Sequence, residues 1–283
     1  MAKFRLSAFA DEASPVLDEQ LQALKEEGMD RIELRGVDGK NCSALTLEEA
    51  AEVKKKLDAA GVKLSALGSP FGKAQLDEPF DEHLASFKHG LELCKVLGCD
   101  RIRMFSFYPP KGAKPEDWKE EVFRRLDIML DLADKAGIYL VHENEKDIYG
   151  DTTQRCVELM EKYYPRMGFV FDPANFVQCG MNTAEGYEQL KDYVTYMHIK
   201  DAFLKDGAVV AAGHGDGHVA EILKKVNAEH DGEVILTVEP HLTVFDGLKD
   251  LQGEPVTHHE TYPDSKTAFH AAVKALKDIL ATL

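Results

Sequence analysis

The chain has 283 residues, 44% of them hydrophobic and 30% charged, with 50 acidic against 34 basic residues and a net charge of −16. Such a length and apolar content carry a sizeable core, which excludes a disordered or fibrous chain. The acidic balance argues against nucleic acid as a partner, because a nucleic-acid binder needs a basic face to displace counterions.

Residues 4–9 read as a first strand, followed by apolar residues at helical spacing, Leu17, Leu21 and Leu24. That helix closes at Gly28, and a strand begins at Arg31-Ile32-Glu33-Leu34. The same helix-to-strand junction returns at Gly61 before 62–65, at Gly98 before 101–104 and at Gly137 before 138–141. Glycine just past the last turn takes the left-handed conformation that closes a helix. Leu84, Phe87, Leu91 and Cys94 give the helical stripe before Gly98; Trp118, Val122, Leu126, Met129 and Ala133 give it before Gly137.

The second half continues with strands at 167–172, 194–199 and 233–238, and with helices near 152–163, 183–191, 218–229 and 263–283. Eight strand–helix pairs without a linker or repeat boundary predict one (β/α)8 barrel domain over residues 1–283, an α/β fold, with a doubly wound open sheet as the alternative. No stretch approaches the roughly 18 apolar residues of a membrane span. The start, Met1 to Ser7, has no apolar signal core, so a soluble cytoplasmic protein without a membrane partner is expected. The five cysteines, Cys42, Cys94, Cys99, Cys156 and Cys179, include no CxxC pair and argue against a disulfide framework.

Active sites of such barrels lie at the C-terminal ends of the strands. Strand five ends Val141-His142-Glu143-Asn144-Glu145, and strand six ends Phe171-Asp172-Pro173-Ala174-Asn175. Strand seven ends His198-Ile199-Lys200-Asp201, and strand eight ends Val238-Glu239-Pro240-His241. Four consecutive strands thus finish with Glu143, Asp172, His198 and Glu239. A ring of three carboxylates and an imidazole repels itself without a cation, and with one divalent ion (Mn, Mg, Co or Zn) it becomes a site.

These strand ends resemble the metal ligands of the xylose isomerase-like TIM barrels, the sugar phosphate isomerase/epimerase superfamily. That group includes ketose 3-epimerases, hydroxypyruvate isomerase, inosose isomerase and dehydratase, and endonuclease IV. The resemblance covers the whole chain at the level of pattern. It implies one divalent metal on Glu143, Asp172, His198 and Glu239, with Glu143 and Glu239 as acid and base on opposite faces of a ketose, aldose or keto-acid. The implied reaction is isomerisation or epimerisation through a metal-stabilised cis-enediolate. The alternative is a lyase or dehydratase on a keto-sugar, keto-inositol or 3-keto-glycoside; a non-catalytic carbohydrate-binding barrel is a further reading. Family habit also implies a homo-oligomer.

The chain departs from endonuclease IV, whose extra histidines are missing from Leu67-Gly68-Ser69-Pro70 and Met104-Phe105-Ser106-Phe107. Asn175 stands where ketose epimerases commonly place a substrate-binding histidine, so sugar specificity does not transfer. Lys200 is expected to meet a substrate or enediolate oxygen, with a salt bridge to one of the carboxylates as the alternative. Ser69 and Lys73 are expected to overhang the site, and Arg35 to face inward with Glu33, either as an internal ion pair or toward substrate. His241, Glu145 and Asp201 are candidates for the shell behind the ligands, with His241 also a candidate substrate contact. Phe9, Phe105, Phe107 and Trp118 are aromatic candidates for either core or sugar face. The few basic residues near the site, Arg35, Lys73, Arg103, Lys200 and Lys205, favour a neutral substrate over a phosphorylated one. Gly213-His214-Gly215-Asp216-Gly217-His218 reads as a glycine-rich turn, with a second metal site or a phosphate nest as alternatives. His142 should face the helix layer, and His258-His259 the surface.

Overall fold

The computed structural model describes residues 1–243 and 258–283. Eight strands follow in order: β1 (Ala2–Ala8), β2 (Arg31–Leu34), β3 (Lys63–Gly68), β4 (Arg101–Met104), β5 (Tyr139–Glu143), β6 (Met167–Phe171), β7 (Val194–Ile199) and β8 (Gly232–Val238). The helices between and after them are α1 (Leu17–Glu26), α2 (Leu47–Ala60), α3 (Asp81–Leu97), α4 (Lys119–Ala136), α5 (Thr153–Tyr163), α6 (Thr183–Leu190), α7 (Val219–Glu229) and α8 (Ser265–Leu280). Each predicted element is present, with bounds shifted by a few residues at most. Gly28, Gly61, Gly98 and Gly137 all take φ between 66° and 71°, the left-handed closure their positions predicted.

The ladder runs β1-β8-β7-β6-β5-β4-β3-β2, parallel throughout, so the strands form a nearly closed single-domain TIM barrel rather than an open doubly wound sheet. Beside the β1–β2 seam, Ser65 of β3 has its Oγ 2.6 Å from Ser7 Oγ of β1 and donates to the Ile32 carbonyl of β2 at 3.0 Å.

Strand alternation separates the two faces. Val141, Val170, Tyr196 and Ile235 pack together inside the barrel. Leu140, Phe169, Phe171, Met197, Leu236 and Val238 belong instead to the large core shared with the helices. Two residues beyond Val141, Val170 and Tyr196 stand Glu143, Asp172 and His198, so the period that fills the barrel with apolar side chains also delivers the polar ones to its mouth. His142 turns outward as expected: it is buried against Phe169, ring centroids 6.1 Å apart, and burial lowers its pKa to about 3. Two small hairpins, Gly36–Val37 with Lys40–Asn41 and Asp201–Ala202 with Val209–Val210, decorate the barrel, as does a short helix, Pro173–Gln178, that Asp172 caps by accepting from Asn175 N–H. Among the described residues no helix is long and apolar enough to cross a membrane.

Candidate metal centre

Glu143, Asp172, His198 and Glu239 are all buried, and one ligand atom from each lies within 4.8 Å of the others. Donors about 2.0–2.2 Å from one ion are at most about 4.4 Å apart, so a contraction of a few tenths of an ångström closes this set on an ion. His198 Nδ1 is 3.0 Å from Glu143 Oε1 and 3.5 Å from Glu239 Oε2. On the other side of the ring, Nε2 is 3.0 Å from Glu33 Oε2, the outer carboxylate that orients a ligating imidazole. Tyr196 OH donates to the same Glu33 oxygen at 2.6 Å.

The donor set fits a divalent cation on two further grounds. Asp172 Oδ2 and His198 Nδ1 are buried without a hydrogen-bond partner, although charged groups stand nearby, a cost that native structures rarely leave unexplained. Moreover, six buried carboxylates gather at this end of the barrel, Asp11, Glu12, Glu33, Glu143, Asp172 and Glu239, against the cations Arg35, Arg103 and Lys200. The imbalance shows in the titrating groups. Burial opposes the imidazolium of His198, yet Glu143 and Glu33 outweigh it and hold the pKa well above the ordinary histidine value. Burial pushes Asp172 up to about 7 despite Lys200. Burial would raise Glu239 as well, but Lys200 and His241 hold it well below the usual carboxylate range.

Each glutamate of the set has its own arginine. Arg103 Nε is 3.3 Å from Glu143 Oε2, and Arg35 Nη1 donates to Glu239 Oε1 at 3.1 Å. Arg35 is clamped in turn by Asp11, at 2.9 and 3.1 Å, and by Glu12 at 2.8 Å. Arg35 therefore stands in ion pairs, but not with Glu33, which turns to His198, Arg103 and Tyr196. The register of β2 against β3 shifts between Ile32 and Glu33, and Arg35 meets Asp11 and Glu12, just after β1, while Glu33 meets His198 of β7. Asp11 and Glu12 were missed by the sequence reading. They sit in a 3-10 turn directly after β1, beyond the strand end itself.

Lys200 Nζ bridges Asp172 Oδ2 at 3.0 Å and Glu239 Oε2 at 2.8 Å, inside the ligand set. Asn175 donates from Nδ2 to Glu143 Oε1 at 3.2 Å and to the Asn144 carbonyl at 2.9 Å, so it holds a ligand in place. His241 Nε2 stands 3.2 Å from Glu239 and 3.4 Å from Glu12. Lys73 pairs with Glu145 at 2.9 Å and lies 4.3 Å over the Phe105 ring. Ser69 donates its hydroxyl to the Arg103 carbonyl at 2.7 Å, which ties the loop after β3 to β4. Phe9 meets His198 edge-on at 5.1 Å and lies under the Arg35 guanidinium at 4.3 Å, whereas Phe107 and Trp118 pack into the core. His258 is half-buried, its Nε2 2.6 Å from the His241 carbonyl oxygen, rather than at the surface.

The glycine-rich loop is not an open phosphate nest, because its N–H groups already receive a carboxylate, and no candidate metal group among the described residues includes His214, Asp216 or His218. Asp201 Oδ2 accepts from Gly213 at 3.0 Å and Gly215 at 3.1 Å, and Oδ1 accepts from Gly217 at 2.7 Å and Ala202 at 2.9 Å. A Cβ on Gly215 would stand 2.5 Å from both Asp201 Oδ1 and the Ala202 carbonyl oxygen. Gly215→Ala is therefore expected to lower stability by about 1–3 kcal/mol. The urea unfolding midpoint checks this, and an unchanged midpoint would contradict the packing described.

Eight parallel strands in a nearly closed barrel, with a carboxylate–imidazole cluster at their C-terminal ends, define a class. A sequence profile of the xylose isomerase-like TIM barrel family matches residues 21–261, and the chain belongs to that family. Solved structures agree on the fold. The IolI protein with a bound zinc atom is similar over 98% of both chains, with 20% identity and a TM-score of 0.71. D-allulose 3-epimerase from Methylomonas sp. is similar over 100% of both chains at 17% identity, TM-score 0.71. The probable 3-DHS dehydratase AsbF from Bacillus anthracis is similar over 98% of this chain and 99% of its own, at 16% identity and TM-score 0.70. Among curated proteins none matches the sequence.

Proposed function

We propose that this chain is a divalent-metal-dependent isomerase or epimerase of a small sugar or keto-acid, working by removal of the proton next to a carbonyl. The observation that carries this reading is the convergence of Glu143, Asp172, His198 and Glu239 within 4.8 Å, buried at the barrel mouth. Three oxygen donors and one nitrogen suit Mn, Mg, Co or Zn. When bound, such an ion supplies Lewis-acid stabilisation of the negative charge that develops on the substrate oxygens.

The chain's own residues do the remaining work. Glu143 and Glu239 come from strands on opposite sides of β6 and β7, and each has one oxygen tied to an arginine and the other turned toward His198. One takes the proton from the reacting carbon and the other returns one, to the opposite face or the adjacent carbon. Lys200, now paired with Asp172 and Glu239, would donate to a substrate oxygen once those carboxylates held an ion. Asn175 keeps Glu143 aimed, and Glu33 keeps the His198 ring in its ligating orientation. The Lys73–Glu145 pair stands beyond β5 on the approach to the site.

Turnover of a ketose panel in D2O tests the reading. Deuterium at the carbon beside the carbonyl of an intact, isomerised or epimerised sugar is expected. Release of water or an aglycone would replace the proposal by the elimination that begins with the same proton abstraction. No exchange with any sugar or keto-acid under any metal would leave a binding protein.

A further inference from the structure

At the opposite end of the barrel from the metal centre, a cavity of about 550 Å³ opens among the N-terminal ends of β2 and β3 and the last turn of α3. Its walls carry Arg31, Lys54, Lys63 and Lys95 against Asp58 and Asp100, and Cys94 and Cys99 both line it. These thiols are brought together by the way α3 ends. Gly98 turns the chain left-handed at φ 67°, and Cys99 N–H then donates back to the Cys94 carbonyl at 2.9 Å. This is the closure in which the residue after the glycine packs against the residue five before it. With standard backbone dimensions, a direct bond of that length limits the separation of the two α-carbons to about 6.8 Å. The disulfide window is about 4.4–6.8 Å.

Both side chains line the same cavity, and Cys99 Sγ donates to the Arg101 carbonyl at 3.2 Å. Cys94 is fully buried and Cys99 5% exposed, so within this pair Cys99 is the thiol an oxidant reaches first. Cys42 and Cys156, by contrast, are fully buried and donate to backbone carbonyls.

We propose that Cys94 and Cys99 are a paired oxidation site that a hydroperoxide or a small disulfide converts to an intramolecular disulfide. With hydrogen peroxide, the Cys99 sulfur attacks one oxygen, the O–O bond breaks, and one water leaves a sulfenic acid. Cys94 then attacks the Cys99 sulfur, the S–O bond breaks, and a second water departs with the remaining thiol proton. With oxidised glutathione, Cys99 first forms a mixed disulfide and Cys94 displaces the second glutathione, so two reduced glutathiones are released.

The test exposes the native, folded protein to hydrogen peroxide or oxidised glutathione, then counts thiols and maps non-reduced peptides. Two of the five free thiols are expected to disappear, with a Cys94–Cys99 link in the mapped peptides that dithiothreitol reverses. Cys99→Ser is expected to form no internal link. Mapping the wild-type protein decides the matter even if that variant folds poorly. Oxidation that leaves both thiols free, joins other cysteines, or stops at a sulfinate or glutathione adduct on Cys99 would overturn the proposal.

Discussion

Glu143→Gln and Glu239→Gln are each expected to lower kcat/KM by about 10³-fold, within the range a positioned acid or base contributes. Both residues sit in the metal cluster, so turnover is compared at saturating metal, with affinity measured separately. In the proposed mechanism the two carboxylates divide the work by face, and this separates their acid–base role from ligation. In D2O, a variant that keeps one carboxylate is expected to wash out the substrate proton on that side while forming no epimer. The double variant loses both reactions, and its defect is far from the sum of the two single losses. Equal and complete loss of exchange in both single variants would place the two residues in ligation alone. Asn175 and the paired arginines are unchanged in these variants, which keeps the remaining carboxylate in its observed orientation.

Arg35→Met is expected to cost about 3–5 kcal/mol of folding stability, because it strands three buried carboxylates around one missing cation. Asp11, Glu12 and Glu239 all contact the guanidinium within 3.1 Å, and the side chain is 2% exposed. Methionine fills the volume and supplies none of the charge. Glu12 already has its pKa raised, chiefly by burial and against His241 and Arg35, so uptake of a proton there limits the loss. Arg35→Lys keeps the charge and gives up the two-pronged contact with Asp11, and is expected to fall between the two. Unfolding in urea reads the difference; a loss under about 1 kcal/mol for Arg35→Met would mean that the carboxylates find other compensation.

What the sequence disclosed, and what it withheld, follows from how far apart the partners lie. The glycines that close α2, α3 and α4 are local signals, each readable within one helical stripe and its end. Glu143, Asp172, His198 and Glu239 are legible because each ends an apolar run, and the barrel carries all strand ends to one rim. Glu33 is different. Its partner Tyr196 lies 163 residues away, and Arg35 meets Glu239 across 204 residues, distances at which spacing carries no information. The expectation of a Glu33–Arg35 pair came from strand alternation, which fixes the face but not the partner. The glycine-rich loop was ambiguous for the same reason: the N–H groups were visible in its composition, whereas the anion that fills them is Asp201, 12 to 16 residues upstream. Asp11 and Glu12 stand in the 3-10 turn past β1 rather than on the strand's last residues, so the strand's own end does not mark them.

The measurement that bears most directly on the metal-centred site is metal content per chain after dialysis against Mn²⁺, Mg²⁺, Co²⁺ or Zn²⁺, for the native protein and for Asp172→Asn. Asp172 contributes a buried oxygen 3.0 Å from the Lys200 ammonium, and the amide keeps its shape while removing its charge. One ion per chain is predicted for the native protein, bound at least about 100-fold more weakly in the variant. An ion held equally by both proteins, or no ion under any condition, would contradict a centre built on Glu143, Asp172, His198 and Glu239.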